Sequence, residues 1–213
     1  MRTLLVYGDS NTYGASPIQA DGTSFRYGPE IRWPMRLARA LHPDWRVIDE
    51  GLPGRTTVHD NPFTGAHKNG LSVLPAILES HAPMDAVAVM LGTNDLKARL
   101  NLPANEIAEG LKRILLRIRA GACGPDGTQP KLLIIAPAPI SEVPPHDEIL
   151  AGGAEKSRRL APLFESLAGE MGAAFFDAGS VAAASGVDGV HLSEEAHIAL
   201  ADALLPVIRA LAD

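Results

Sequence analysis

The sequence predicts an α/β fold: a three-layer α/β/α sandwich around a five-stranded parallel sheet. Two observations support this prediction. Five short apolar runs are spaced along the chain, and residues 86–91 are apolar at every position rather than at alternate ones. Such a strand is covered on both faces, as in a parallel sheet between helices. Strands alternate with helical segments without an internal repeat or a linker, which indicates one domain spanning residues 1–213.

The predicted strands are the five apolar runs at residues 4–7, 47–49, 86–91, 132–136 and 174–177. One predicted helix carries a single apolar stripe formed by Ile107, Leu111, Ile114, Leu115 and Ile118. Pro103 suits the first turn of that helix, and Gly121 suits its carboxyl cap. The last helix is predicted to begin at Ser193, a good amino-terminal cap that is followed by two glutamates.

Composition excludes several functional classes. Of 213 residues, 46% are hydrophobic and 21% are charged, which is typical of a globular protein. A net charge of −6 provides no basic surface for nucleic acid and argues weakly against binding to an anionic membrane. No segment approaches the ~18 apolar residues of a membrane span, and the apolar start is too short for a signal peptide. We therefore expect a cytoplasmic protein with neither a nucleic-acid nor a membrane partner.

Three short motifs lie where a parallel sheet places its ligand site, at the carboxyl ends of the strands. Gly8-Asp9-Ser10 follows the first strand and offers a hydroxyl nucleophile. Gly92-Thr-Asn-Asp95 follows the third strand, and the Asn94 amide can stabilise an oxyanion without protonating it. Asp188-Gly-Val-His191 precedes the last helix; its carboxylate can hold one imidazole nitrogen while the other acts as a base.

Taken singly, each motif has an ordinary structural interpretation: a glycine turn with a helix cap, an Asx turn, and a helix-entry turn with a solvated histidine. Together they supply a nucleophile, a base with its orienting acid, and an oxyanion donor, which are the groups that acyl transfer requires. Gly54, in the Pro-Gly-Arg-Thr-Thr stretch after the second strand, adds a backbone N–H as a second donor.

These motifs resemble those of the SGNH hydrolases, also called GDSL esterases. The serine, glycine, asparagine and histidine for which the family is named correspond to Ser10, Gly54, Asn94 and His191, and Asp188 matches the family's acid. The resemblance implies a flavodoxin-like sheet and a Ser10-His191-Asp188 catalytic group. It also implies an oxyanion hole formed by Ser10, Gly54 and Asn94, with neither a cofactor nor a metal. The chain departs from the family pattern where leucine usually follows Gly-Asp-Ser, because Asn11 stands there.

Four further stretches, at residues 50–57, 90–95, 152–156 and 176–180, resemble a bacterial subgroup of aryl esterases and acyltransferases. This resemblance implies hydrolysis of short-chain aryl and alkyl esters as small-molecule substrates. It also implies acyl transfer to alcohols or peroxide, and a homo-oligomer.

The sequence does not determine the substrate, because the motifs specify acyl chemistry whereas the loops around the pocket select which molecule binds. A carbohydrate deacetylase or a thioesterase would use the same residues, and a non-catalytic binding module with this fold is the remaining alternative. Aromatic residues in the loops near the strand ends suggest walls of the substrate pocket, or ordinary loop anchors. We take Tyr13, Trp33 and Phe63 as the candidate substrate-binding residues.

Overall fold

A computed structural model describes residues 1–212 and contains a five-stranded sheet in which all pairings are parallel. Its strands are β1 (Arg2–Gly8), β2 (Trp45–Gly51), β3 (Ala86–Met90), β4 (Lys131–Ala136) and β5 (Ala174–Asp177). Their order is β2-β1-β3-β4-β5, the flavodoxin-like arrangement. All five predicted strands are confirmed. β2 extends two residues beyond the predicted run at each end, because polar residues there pair with β1 without adding to the apolar pattern.

Helices cover both faces of the sheet and complete the three predicted layers. They are α1 (Ser10–Tyr13), α2 (Trp33–Leu41), α3 (Gly70–His81), α4 (Ala104–Ala120), α5 (Gly153–Arg158), α6 (Leu160–Met171) and α7 (Glu194–Ala210). Helices α3, α4 and α6 pack on one face, whereas α2 and α7 pack on the other. Strand β3 is buried along its whole length between these layers, as its continuous apolar run predicts. No helix in residues 1–212 has the length and apolar character needed to cross a bilayer.

The ends of α4 and α7 show how local sequence sets helix boundaries. The predicted stripe of α4 is buried, and Gly121 caps its carboxyl end as expected. Pro103 precedes the helix rather than occupying its first turn, since its ψ of 158° is extended. Ser193 caps α7 and accepts a hydrogen bond from the Ala196 N–H at 3.3 Å.

The connections that leave the adjacent strands β1 and β3 run to opposite faces of the sheet, and this determines where the site lies. The chain leaves β1 toward α2 on one face and leaves β3, two 3₁₀ turns later, toward α4 on the opposite face. Adjacent parallel strands whose connections diverge in this way leave a crevice at their carboxyl ends. The loops that begin at Ser10 and Thr93 therefore border the same crevice.

A buried histidine in α7 makes the stability of the fold depend on pH. His197 is fully buried, and among residues 1–212 neither of its ring nitrogens has a hydrogen-bond partner. Its ring meets the edge of Tyr27 at 5.4 Å between centroids. Burial, with a smaller contribution from His191, lowers the pKa of His197 from 6.5 to about 4. Between pH 6.5 and about 4, His197 is therefore neutral in the folded protein, whereas the same residue is protonated in the unfolded chain.

We expect replacement of His197 by leucine to remove this acid sensitivity. Between pH 6.5 and 4 the unfolded chain binds more protons at this position, so the stability contributed by the neutral histidine is lost as the pH falls. Relative to the native chain, the His197→Leu variant should gain about 3 kcal/mol in unfolding free energy across this window. Urea denaturation at several pH values measures the difference, and a pH-independent difference would contradict the assignment.

Candidate active site

Ser10 lies at the carboxyl end of β1 because the chain turns sharply there into α1. Asp9 caps α1, and its carboxylate accepts a hydrogen bond from the Asn11 N–H at 3.0 Å. Gly8 is required at this turn, since a Cβ there would lie 2.0 Å from the Thr12 Oγ1. The turn leaves the Ser10 side chain almost buried, at 6% exposure, on the wall of the crevice.

His191 and Asp188 complete a hydrogen-bonded chain with Ser10. The His191 Nε2 lies 3.1 Å from the Ser10 Oγ, and its Nδ1 lies 2.6 Å from the Asp188 Oδ2. These distances are those of direct hydrogen bonds, so imidazole and hydroxyl are already in contact. Gly189 permits the turn between acid and base, because its φ of +72° is left-handed and a Cβ would lie 2.1 Å from the Ser141 carbonyl oxygen.

Asp188 is fully buried and is held by four hydrogen bonds. Its Oδ1 accepts from the N–H groups of Val190 and His191, and its Oδ2 accepts from the Ile18 N–H and the His191 ring. Burial alone would raise the pKa of Asp188, but these hydrogen bonds together hold it well below its usual value. The carboxylate therefore stays ionised and fixes the orientation of the His191 ring.

Three candidate oxyanion donors belong to residues that line the same cavity. The Ser10 N–H is the first of a helix and has no partner one turn earlier. Gly54 lies in a turn after β2 with φ of +82°, and within residues 1–212 its N–H has no protein acceptor. The Asn94 side chain extends from the 3₁₀ helix Thr93–Leu96 after β3, and its Nδ2 lies 3.4 Å from the Asp9 Oδ2.

A single cavity of about 300 Å³ joins the predicted residues. Ser10, Gly54, Asn94 and His191 all line it, whereas Asp188 lies behind His191 and is shielded from solvent. The cavity thus combines a contacted hydroxyl–imidazole pair with backbone and amide donors. That is the geometry needed to attack a carbonyl and to hold the resulting oxyanion.

These features identify the family. The chain matches the model of the GDSL-like lipase/acylhydrolase family over residues 6–199. The chain belongs to this family. Solved structures agree with the assignment over nearly the whole chain, although no curated protein sequence matches it.

Several solved structures are similar in both sequence and fold, among them an aryl esterase and a carbohydrate acetylesterase. The aryl esterase of M. smegmatis is 40% identical, with a TM-score of 0.93 over 99% of this chain and 100% of that one. Est24, a carbohydrate acetylesterase from Sinorhizobium meliloti, is 38% identical, with a TM-score of 0.94 over 99% and 100% of the two chains.

Asn11, the departure from the GDSL-like pattern, links the nucleophile turn to the loop that carries the base. Its Nδ2 donates to the Val190 carbonyl at 3.1 Å, and its Oδ1 accepts from the Leu192 N–H at 3.0 Å. These hydrogen bonds flank His191 on both sides, and Asn11 is buried. A leucine could make neither contact, so this chain positions His191 partly through the residue that differs from the family.

The aromatic residues predicted to form the substrate pocket do not line it. The prediction for Trp33 is wrong: its side chain is fully buried in the core, and its Nε1 donates to the Asn11 carbonyl at 3.1 Å. Tyr13 instead packs under the Arg26 guanidinium, 3.9 Å from the ring centroid. Phe63 is 77% exposed and meets the cavity only through Arg99, which stacks over its ring.

Other residues form the walls instead, and the motifs did not reveal them. His146, Ile149 and Leu150 come from the long loop after β4, while Lys97 and Arg99 follow the Asn94 turn. No pattern in the sequence indicates which side chains of the loop after β4 turn inward.

The His146, Asp188 and His191 side chains are the one cluster in residues 1–212 with the donor set of a metal site. Their potential ligand atoms all lie within 4.8 Å of one another. However, both Asp188 oxygens accept protein hydrogen bonds, and the His191 Nδ1 is bonded to that carboxylate. A metal ion would have to displace these contacts, so the donor set fits a metal poorly.

Proposed function

We propose that this protein is a serine esterase that forms an acyl-enzyme on Ser10, with His191 as general base and Asp188 as its orienting acid. The observation that carries the proposal is the continuous hydrogen-bonded chain from Asp188 through His191 to Ser10, which ends in the cavity. Membership in an acylhydrolase family supports the same chemistry.

The mechanism follows from the positions of these atoms. The His191 Nε2 accepts the hydroxyl proton as the Ser10 Oγ attacks the ester carbonyl, and Asp188 stabilises the imidazolium that forms. The protonated His191 then donates its proton to the leaving alkoxide oxygen as the C–O bond breaks. Water attacks the acyl-enzyme in the same way, which releases the carboxylic acid and restores the Ser10 hydroxyl.

We assign the stabilisation of the charge that develops on the carbonyl oxygen to three donors: the N–H groups of Ser10 and Gly54 and the Asn94 amide. All three residues line the cavity beside the hydroxyl. The 3.4 Å contact between Asn94 and Asp9 restrains the amide without using both of its protons. Burial raises the pKa of Asp9 to about 6, so above that pH this acceptor is a carboxylate.

Replacing Asn94 with alanine should lower kcat by about 10²–10³-fold with little change in KM, because the amide acts mainly on the charged intermediate. Steady-state kinetics on a neutral aryl acetate measure the effect. Asn105→Ala, which changes an exposed asparagine on α4, is the matched control. A loss below about 5-fold would remove Asn94 from the oxyanion hole.

For the substrate, we propose short-chain aryl and alkyl esters. The similarity to the M. smegmatis aryl esterase favours this class, and a cavity of about 300 Å³ suits a small ester. The similarity to Est24 favours acetylated carbohydrates as the second candidate. Assaying aryl acetates, acetylated sugars and acyl thioesters separates the candidates, and the proposal fails if aryl acetates are the poorest of the three.

Acyl transfer is a further part of the proposal. An acyl-enzyme in a largely apolar cavity from which water is excluded can be attacked by a bound alcohol or peroxide in place of water. Exposed apolar side chains at the cavity rim, Ile149 and Phe63, support enclosure by a second subunit of a homo-oligomer. Measuring ester formation from a vinyl ester and a primary alcohol tests acyl transfer. Light scattering tests whether the protein is a homo-oligomer.

A further inference from the structure

The cavity has the opposite charge from the protein as a whole. The chain carries a net charge of −6, yet no aspartate or glutamate lines the cavity, whereas Lys97 and Arg99 do. His146 also lines it, and burial lowers the pKa of this imidazole, which favours its neutral form. A cleft lined by charges of one sign concentrates ligands of the opposite sign.

Neither cation forms an ion pair with the part of the protein that the structure describes, although the buried carboxylates of Asp9 and Asp95 partly offset the lowering of the Lys97 pKa. Within residues 1–212, no carboxylate lies within ion-pair distance of Lys97 or Arg99. Lys97 is partly buried, and burial lowers its pKa. The Lys97 ammonium has no hydrogen-bond partner within residues 1–212 and stays accessible to solvent at the cavity. An anionic group bound beside it gains charge-assisted hydrogen bonds that a neutral group does not.

Backbone and packing hold both cations on the wall beside the oxyanion donors. Lys97 is the extended residue between the 3₁₀ helices Thr93–Leu96 and Ala98–Leu100, three positions after Asn94. The Arg99 guanidinium lies 4.9 Å from the centroid of the Phe63 ring, a cation–π contact that restrains it at the rim. An ester carbonyl bound near Asn94 therefore has two cations on the adjoining wall.

We propose that the cavity selects esters that carry a carboxylate group, and that Lys97 and Arg99 bind that carboxylate. The inference rests on the proposed esterase function and narrows its substrate class. The Lys97 ammonium offers three donors and the Arg99 guanidinium a planar pair, both of which suit carboxylate oxygens. Neutral esters would offer these two cations no charged acceptor.

The test compares substrates that differ only in charge. para-Acetoxybenzoate and its methyl ester place the carboxylate on the leaving group, whereas mono-para-nitrophenyl glutarate and para-nitrophenyl valerate place it on the acyl group. The quantity measured is the ratio of kcat/KM for the anionic ester to that for the neutral one. In the native protein, one of the two pairs should show a ratio of at least ~10, the effect of one charge-assisted hydrogen bond.

Substitution should lower that ratio more where the removed charge is better shielded from solvent. Lys97→Met should reduce it by ~10–100-fold, and Arg99→Gln by less because Arg99 is exposed. Lys131→Met and Arg46→Gln are matched controls. They remove the same charges from exposed residues near the amino ends of β4 and β2, far from the cavity edge of the sheet. Lys97→Glu should reverse the preference toward a cationic ester such as acetoxy-trimethylanilinium.

Binding gives a readout that does not need turnover. Calorimetry on the Ser10→Ala variant should show, for the pair that discriminates in the kinetic test, the anionic ester bound at least ~10-fold more tightly than the neutral one, and adding Lys97→Met should abolish the difference. Equal binding of the anionic and the neutral ester in both pairs, or ratios in the Lys97→Met and Arg99→Gln variants that match those of the control variants, would overturn the proposal while leaving esterase activity intact. Failure of the esterase proposal itself would appear separately, as absent hydrolysis of every neutral ester.

Discussion

Replacement of Ser10 by alanine is expected to lower kcat by about 10⁴–10⁶-fold, the loss found when a serine nucleophile is removed from a working catalytic group. In the proposed mechanism the Ser10 Oγ is the atom that bonds to the acyl carbon, and His191 has no other hydroxyl within hydrogen-bonding distance in residues 1–212. Residual turnover would come from water activated by His191 in the presence of the oxyanion donors. The substitution should preserve the fold, because alanine is tolerated in a helix.

Covalent labelling gives the same prediction an independent measurement. An alkyl fluorophosphonate should add once to the native chain, and mass spectrometry of the digested protein should locate the adduct on Ser10. Ser72→Ala, an exposed serine of α3, is the matched control and should keep both activity and labelling. Labelling that persists in the Ser10→Ala chain would show that another residue is the nucleophile.

Asp188→Asn should lower kcat by about 10⁴-fold, although its side chain has nearly the same shape. Asp188 accepts the His191 Nδ1–H at 2.6 Å, which leaves the Nε2 unprotonated and able to accept the Ser10 proton. An asparagine amide that donates to Nδ1 would place the proton on Nε2, where the imidazole cannot act as a base. The loss should therefore appear in kcat, with substrate binding preserved.

The same substitution should also destabilise the protein, which provides a second measurement. The Asp188 carboxylate accepts N–H groups from Ile18, Val190 and His191, and an amide nitrogen facing one of them leaves a buried donor unpaired. Asp202→Asn, whose side chain is 70% exposed on α7, is the control and should change neither property. A normal kcat in Asp188→Asn would remove the carboxylate from the mechanism.

The fold could be predicted because its strongest pattern lies at its centre. β3 is covered on both faces, so its sequence is apolar throughout and identifies a parallel sheet. Strand ends were less predictable: β2 has intermediate exposure along most of its length, and its polar residues pair with β1 through backbone groups that have no sequence pattern. Proline favours the first turn of a helix, so the sequence predicts Pro103 inside α4. Its extended ψ shows that it lies one residue before the helix.

The proximity of Ser10, Asp188 and His191 could be predicted because motif order and strand-end position constrain them together. Residues of the cavity wall could not, since an aromatic in a loop has no period that indicates its direction. Trp33 begins an amphipathic helix and turns into the core, which its position before Leu37 and Leu41 on the same face would have suggested. The only signal in the sequence for Lys97 as a wall residue is that it lies three positions after Asn94.

Hydrogen bonding between Ser10 and His191 joins residues 181 positions apart in the chain. A partly folded chain in which β1, β3 and β4 have paired already holds Ser10 and Asn94, yet it has no base and no acid. In such a chain the segment from the end of β4 to His191 has still to close onto β1. This closure costs chain entropy and comes late. During refolding, helix content should therefore recover before turnover does. Catalytic activity is in this sense a reporter of the finished topology, sensitive to defects near His191 that spectroscopy of the backbone would miss.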